Sequence, residues 1–454
     1  MELTIYAYAL IPIFMILFFL RPRVLIYFLI ISLTLQITSL INIWENSIQI
    51  YKFLILLIAL RFILYMVSGG TLKFKNAYLK EIFIYGMLFI LFSFSWSIIA
   101  PNLFDNYPVY HPSSRALEVG ISFLHFSVYN IIFNIFIILY FFTLIYISIF
   151  TWTKKEYKLI KKIIFISLLL VIVTSFSQIL SPIFGTLDIT KYFWTIVVRK
   201  FKYVSIGGFL PIPRIQGTFV EPSNLAPFLT GFYSFYLYNS LRKNNFIDIF
   251  LTLVIFIFII LSASTTAYIS LMIMTFLVVM NLSSIKLSTY NMKLNKKNFF
   301  SLSIGIFVVF FSFIIVVYFI IGFQNFLTLI NLYFLNKPES GSFKIRIASD
   351  LHALEIFAKT FGLGVGLGSN RSSSFLPYLL SQLGIIGTIL FGIFITKILI
   401  FCYRSLRGTE YFSYFFFIPA ALVAQLVAYP DITNPTLWQF IYLSFLVSLI
   451  VGDI

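Results

Sequence analysis

Polar residues punctuate this chain; they do not alternate with its apolar ones. Long apolar runs nearly free of charge recur at 3–20, 24–43, 47–66, 82–100, 126–149, 163–183, 218–241, 246–262, 264–282, 300–322, 375–402, 411–429 and 436–451. A helix needs about 20 residues to cross a ~30 Å hydrocarbon core. The pattern therefore predicts roughly thirteen spans, within a range of about twelve to fourteen. The apolar stretch 246–282 is too long for one crossing, and "SASTT" at 262–266 supplies the turn that divides it. The expected fold class is an all-α polytopic integral membrane protein, with residues 1–454 forming a single membrane domain.

Three connections break the rhythm by their length: 101–125, 184–217 (the loop with the arginine motif) and the large loop 323–374. Loops beyond about 12–15 residues are usually functional or disordered. These are rich in aromatic residues, Gly and Pro, so they are expected to be structured and to bear short amphipathic helices. "ALEVGISFLHF" (116–126) reads as an interfacial or re-entrant helix. In 344–361, Ile347, Leu351, Leu354 and Phe357 share one helical face, which predicts a helix lying on the membrane surface.

Composition agrees with the pattern. The chain is 60% hydrophobic and 10% charged, against about 25% charged in soluble domains. The net charge of +17 would point to nucleic acid in a soluble protein, but here it follows topology. Eighteen of the 32 Lys and Arg residues lie in the connections after odd-numbered spans. Lys52, Arg61 and Lys397 fall within spans near their ends, where long side chains snorkel. The positive-inside rule then puts the N-terminus outside, the C-terminus inside and the three long loops on the outer face of a cell membrane. The N-terminal run reads as a retained first span, because no basic stretch precedes it and no small-residue cleavage site follows. Cys402 is the one cysteine, so no internal disulfide can form.

Outer loops normally carry few cations, yet Arg214, Arg346 and Arg371 stand in two of them. Arginine suits phosphate, because its planar fork binds two oxygens and keeps its proton. Lys191, Lys337 and Lys359 read as ordinary loop solvation. Glu221 opens an apolar run seven residues after Arg214, with Gln216 between them. A carboxylate there is either a helix cap preceding Pro222 at the first helical position or a functional group. In "GLGVGLGSNRSSS" (362–374) the alternating glycines suit either a flexible loop or a backbone folded around a phosphate or sugar. Asn370, Arg371 and Ser372 are the donors in the second reading. His111 and His125 read as packing residues, and His352 as a reserve base. No spacing of ligands implies a metal, and no motif implies a nucleotide or other cofactor.

The order of these motifs is more specific than any one of them. An arginine precedes "GTF" and a helix start; "LSASTTAYISL" turns between two spans; a large outer loop carries an arginine helix; and a Gly-x-Gly stretch runs into "YLLSQLGIIG". Over roughly 200–400 this resembles the O-antigen polymerase and O-antigen ligase superfamily. "EPSNLA" resembles the polymerase branch that joins repeat units of capsule and exopolysaccharide. The resemblance implies a glycosyltransferase on the outer face, moving a glycan from polyprenyl diphosphate to an acceptor hydroxyl. It implies Arg214, Arg346 and Arg371 as diphosphate holders. Ligase-like members place a histidine before the span that follows the large loop; "SSSFLPYLL" stands there instead, which counts against a ligase. Glu221 is then the candidate base, with His352 behind it. The implied partners are a polyprenyl-diphosphate-linked oligosaccharide, membrane lipid, and a chain-length regulator and flippase of the same pathway, without nucleic acid. The rivals are a glycolipid flippase or transporter, and a ligase with a different acceptor. Inverted repeats and broken helices, the marks of many transporters, are not visible in the sequence.

Overall fold

The computed structural model describes residues 2–44, 46–72, 74, 76–111, 120–197, 213–243, 245–284, 341–428 and 430–452. The span expected at 300–322, the start of the large outer loop, and Arg115, Arg199, Lys200, Lys202 and Lys337 lie outside the described residues. The helices are α1 (Ile5–Leu20), α2 (Pro22–Ser32), α3 (Ile50–Val67), α4 (Ala77–Leu103), α5 (Val128–Ile149), α6 (Lys154–Phe184), α7 (Thr190–Phe193), α8 (Pro222–Lys243), α9 (Phe246–Leu261), α10 (Thr265–Ser284), α11 (Gly341–Lys359), α12 (Phe375–Leu406), α13 (Phe417–Val427) and α14 (Pro435–Val451). Strands β1 (Glu2–Leu3), β2 (Ser39–Ile43) and β3 (Asn46–Gln49) pair antiparallel in that order, and β4 (Pro108–Tyr110) pairs antiparallel with β5 (Ile121–Phe123). Among the described residues, six helices (α3, α4, α5, α6, α10 and α12) are long and apolar enough to cross a membrane. Shorter apolar helices accompany them.

Contacts sort the connections into two ends. At one end Arg23 meets Glu156 at 3.9 Å, Lys243 meets Glu410 at 3.4 Å, Lys397 meets Glu81 at 2.7 Å, and Arg404 lies over the Tyr78 ring. These are the connections that the charge pattern groups together. At the other end the β1–β3 sheet, residues 193–197, the turn 213–221 and the α11 region gather. Thr38 Oγ1 donates to Phe193 O at 3.0 Å, for example, and Thr218 Oγ1 to Thr34 O at 2.6 Å.

The core is aromatic. α8 is buried without a break from Asn224 to Leu241, and α14 from Pro435 to Ile450. Phe228, Phe232, Phe417 and Phe440 pack in tilted and edge-on contacts between them and α13, with Phe417 and Phe440 centroids 4.6 Å apart. Gly231 leaves the space that the Phe440 ring fills. A second, small core of Val109, Leu124, Ile356 and Val365 fastens the β4–β5 hairpin to α11.

Three expectations need correction. The run 24–43 is not one helix: α2 stops at Ser32 and β2 begins at Ser39. Ser32 and Thr34 turn their hydroxyls onto Leu29 O and Ile31 O, at 2.9 and 2.6 Å, and such local bonds compete with helix continuation. The helix expected at 47–66 accordingly starts only at Ile50. In the described part of "ALEVGISFLHF", residues 121–123 form a strand, where Ile and Phe sit well on a pleated surface. The helix expected in 344–361 is present as α11, and its face with Ile347, Leu351 and Leu354 is 42%, 62% and 41% exposed. It packs through Ser349, Ala353 and Ile356.

Candidate functional site

The glycine segment is a structural patch. α12 leaves helical geometry at Gly384 (φ 63°, ψ −169°). A break in an apolar helix frees backbone groups that must be paired. Val365 N donates to Ser381 O at 2.9 Å, Gly366 N to Gln382 O at 2.8 Å, and Ile385 N to Gly362 O at 2.9 Å. A Cβ on Gly364 would lie 2.6 Å from Gly384 N, and one on Gly384 would run into Leu363 O. Both glycines sit at positive φ, so backbone passes backbone where no side chain fits. Other amides of the segment are also engaged. Gly364 N donates to Thr360 Oγ1, Leu367 N to Ser97 Oγ and Gly368 N to Gln382 Oε1. Asn130 Nδ2 holds Leu367 O at 2.8 Å. The reading of this loop as flexible, or as a backbone cradle for phosphate, therefore gives way: its donors from 362 to 369 point into the protein.

What the segment delivers is Arg371, on the short bridge to α12. Asn370 is fixed, its Oδ1 accepting from Tyr110 N at 3.0 Å and its Nδ2 donating to Ser381 Oγ at 3.1 Å. Ser372 Oγ donates to Ser374 O. Asp350, on α11, takes Ser373 N, Ser374 N and Ser374 Oγ at 2.7, 2.9 and 2.6 Å. This clamps α11 to the start of α12 and brings half-buried Arg346, four residues earlier, to the same end as Arg371. His352 is drawn aside: its Nε2 lies 3.1 Å from Pro108 O and its ring stands edge-on to Tyr110. His125 pairs with Asp105 at 2.8 Å on the exposed surface.

The second group of expected residues sits on a turn before α8. Gln178 Oε1 accepts from both Gln216 N and Gly217 N, at 3.1 and 3.0 Å. Arg214 is half-buried and its Nε approaches Ser262 O, in the turn between α9 and α10, at 3.5 Å. Glu221 caps α8: its carbonyl accepts from Asn224 N and Leu225 N, and Ser223 Oγ donates to its carboxylate at 3.3 Å. Pro222 takes the first helical position, as expected.

Sequence reading missed the residues that link these groups. Between α13 and α14, Asp431 Oδ1 accepts from Thr433 N and Thr433 Oγ1, both at 2.7 Å. Arg371 and Lys52 lie within electrostatic reach of this carboxylate. Burial pushes the Asp431 carboxyl above the usual carboxylate range, while the Thr433 bonds and the two cations pull the other way. Asn434 caps α14 through Thr436 N, and Gln36 Nε2 donates to Thr436 Oγ1 at 3.1 Å. Two residues before Gln36, Thr34 O receives Thr218. The non-helical segment 33–38 thus joins the Arg214 turn to the Asp431 loop. The available signal was a lone carboxylate between Pro430 and Pro435, in an otherwise apolar part of the chain.

Comparison with known proteins returned no matching family model, no curated relative and no similar solved structure. Chemically, this end offers arginines suited to an anion and half-buried carboxylates suited to a hydroxyl, all held by buried side chains. Among the described residues no group of His, Cys, Asp and Glu is arranged to hold a metal.

Proposed function

We propose that this protein is a membrane glycosyltransferase that polymerises polyprenyl-diphosphate-linked repeat units on the outer face of the membrane, within a bundle of roughly thirteen crossings. The observation that carries the reading is the gathering of Arg214, Arg371 and Asp431 at one end, on non-helical backbone fixed by buried partners. The leaving diphosphate gains charge as the glycosidic bond breaks, and preorganised cations stabilise that charge. Arg214 and Arg371 fill this role, with Arg346 beside them. A carboxylate at this end takes the acceptor proton. The +17 net charge is topological, so nucleic acid is not a partner; a chain-length regulator and a flippase are the expected neighbours.

A second reading has one observation in its favour. Segments 33–38 and Gly384 are interruptions of apolar runs, and interrupted helices near a substrate site are a transporter trait. A glycolipid flippase is therefore the runner-up. Purified protein in liposomes with a polyprenyl-diphosphate repeat unit and no nucleotide sugar separates the two. A product ladder that Arg214→Ala lowers by about 100-fold supports the polymerase. Lipid moving between leaflets without a ladder overturns it.

A further inference from the structure

The two carboxylates at this end are not equivalent. Glu221 is already occupied as the start of α8, its carboxylate taking a bond from Ser223. Asp431 is held differently. Oδ1 accepts both Thr433 bonds, and Oδ2 takes no hydrogen bond from a described residue. Its backbone is pinned on both sides: Gln425 Nε2 and Asn434 N donate to Asp431 O at 3.0 and 3.1 Å, and Trp438 Nε1 donates to Ile432 O at 2.8 Å. Three groups from three elements face this carboxylate: Arg371 before α12, Lys52 from the first turn of α3, and Tyr378 from α12. The Tyr378 side chain is 4% exposed, and its hydroxyl is buried near Asp431, the Gln382 side chain and the Ile432 backbone.

Resting on the polymerase reading, we infer that Asp431, and not Glu221, binds and deprotonates the acceptor sugar hydroxyl, with Tyr378 as a second polar contact to the acceptor. In this step the acceptor O–H bond breaks and its proton passes to Asp431 Oδ2. The oxygen electron pair forms the new bond to the anomeric carbon of the donor. The bond from that carbon to the diphosphate oxygen breaks, and its pair leaves with the diphosphate, beside Arg371. A carboxyl shifted upward by burial is a stronger base once ionised than an exposed one.

The test uses the full chain in liposomes with the polyprenyl-diphosphate repeat unit. Wild type, Asp431→Asn, Asp431→Glu and Glu221→Gln are compared for ladder formation, donor affinity and rate against pH. General bases contribute about 100-fold or more, so Asp431→Asn should slow elongation by about that factor while donor affinity holds. Its rate should also lose the rise with pH that ionisation of this carboxyl gives the wild type. Asp431→Glu should keep that rise at a reduced rate, and Glu221→Gln should keep most of the rate. A folded Asp431→Asn with the wild-type rate overturns the inference, as does a loss traced wholly to donor affinity. If Asp431→Asn does not fold, an Asp431→Glu variant with unchanged rate and pH profile overturns it. A wild type that makes no ladder overturns the polymerase reading itself, and the inference with it.

Discussion

Residues 33–38 and Gly384 both interrupt an apolar run, yet side chains share the repair of the first break with backbone bonds such as Thr195 N to Ile37 O, whereas the second is closed by backbone against backbone. After α2, Thr218 Oγ1 reaches Thr34 O, Gln439 Nε2 reaches Ile30 O at 2.9 Å, and Thr195 Oγ1 accepts from Ser39 N at 2.8 Å. In α12, amides of the glycine segment supply the missing donors directly. A side-chain repair uses groups that can rotate, and it leaves a polar wall. A backbone repair needs chain to touch chain and tolerates no added atom. The first kind can be trimmed one bond at a time; the second should fail as a unit.

The sharpest way to break this contrast is Gly384→Ala. A Cβ there meets Leu363 O at a positive φ, and strain plus overpacking should cost about 3–5 kcal/mol, seen as a large fall in melting temperature in detergent. Asp350→Ala comes next. It removes three bonds that clamp α11 to α12 and should cost about 2 kcal/mol. Exchange of the 373–374 amides, followed by hydrogen–deuterium exchange, should rise with it. The smallest effect belongs to Thr218→Val, which loses one hydroxyl donor at nearly constant shape and should cost about 1 kcal/mol. If Thr218→Val proved as damaging as Gly384→Ala in the same melting experiment, the distinction between the two repairs would collapse.

Much of the fold was legible in the sequence. The apolar periods place α4, α5, α10 and α12 within about five residues, α6 begins well before its expected run, at Lys154, and the "SASTT" turn divides α9 from α10. Two of the basic connections reappear in ion pairs, Arg23 with Glu156 and Lys243 with Glu410. The β2–β3 hairpin was hidden because its two strands fall at the facing ends of two apolar runs, 24–43 and 47–66, and read as the ends of neighbouring spans. The glycines announced an unusual backbone but not its partner, since only the fold brings residue 364 to residue 384. For α11, periodicity found the helix and its apolar face, but not the buried Ser349 and Ala353 through which it packs. At the site, Arg214 and Arg371 stood out as cations on the wrong side. Asp431 did not, since its significance rests on Lys52 and Arg371, which are far away along the chain.

The complete burial of α8 has a consequence for how the chain is made. This helix carries Ser, Thr, Asn and Tyr along its length, and although it runs for 22 residues it is not among the six apolar enough to cross unaided. Lipid is a poor solvent for such a segment, whereas the α9, α10, α13 and α14 that surround it come later in the chain. A nascent chain that has emerged only as far as Lys243 has no reason to leave this helix in the bilayer. The partners that bury it, α9 and α10 among them, are made after it, so the helix that follows Glu221 can reach its packed state only once later parts of the chain exist.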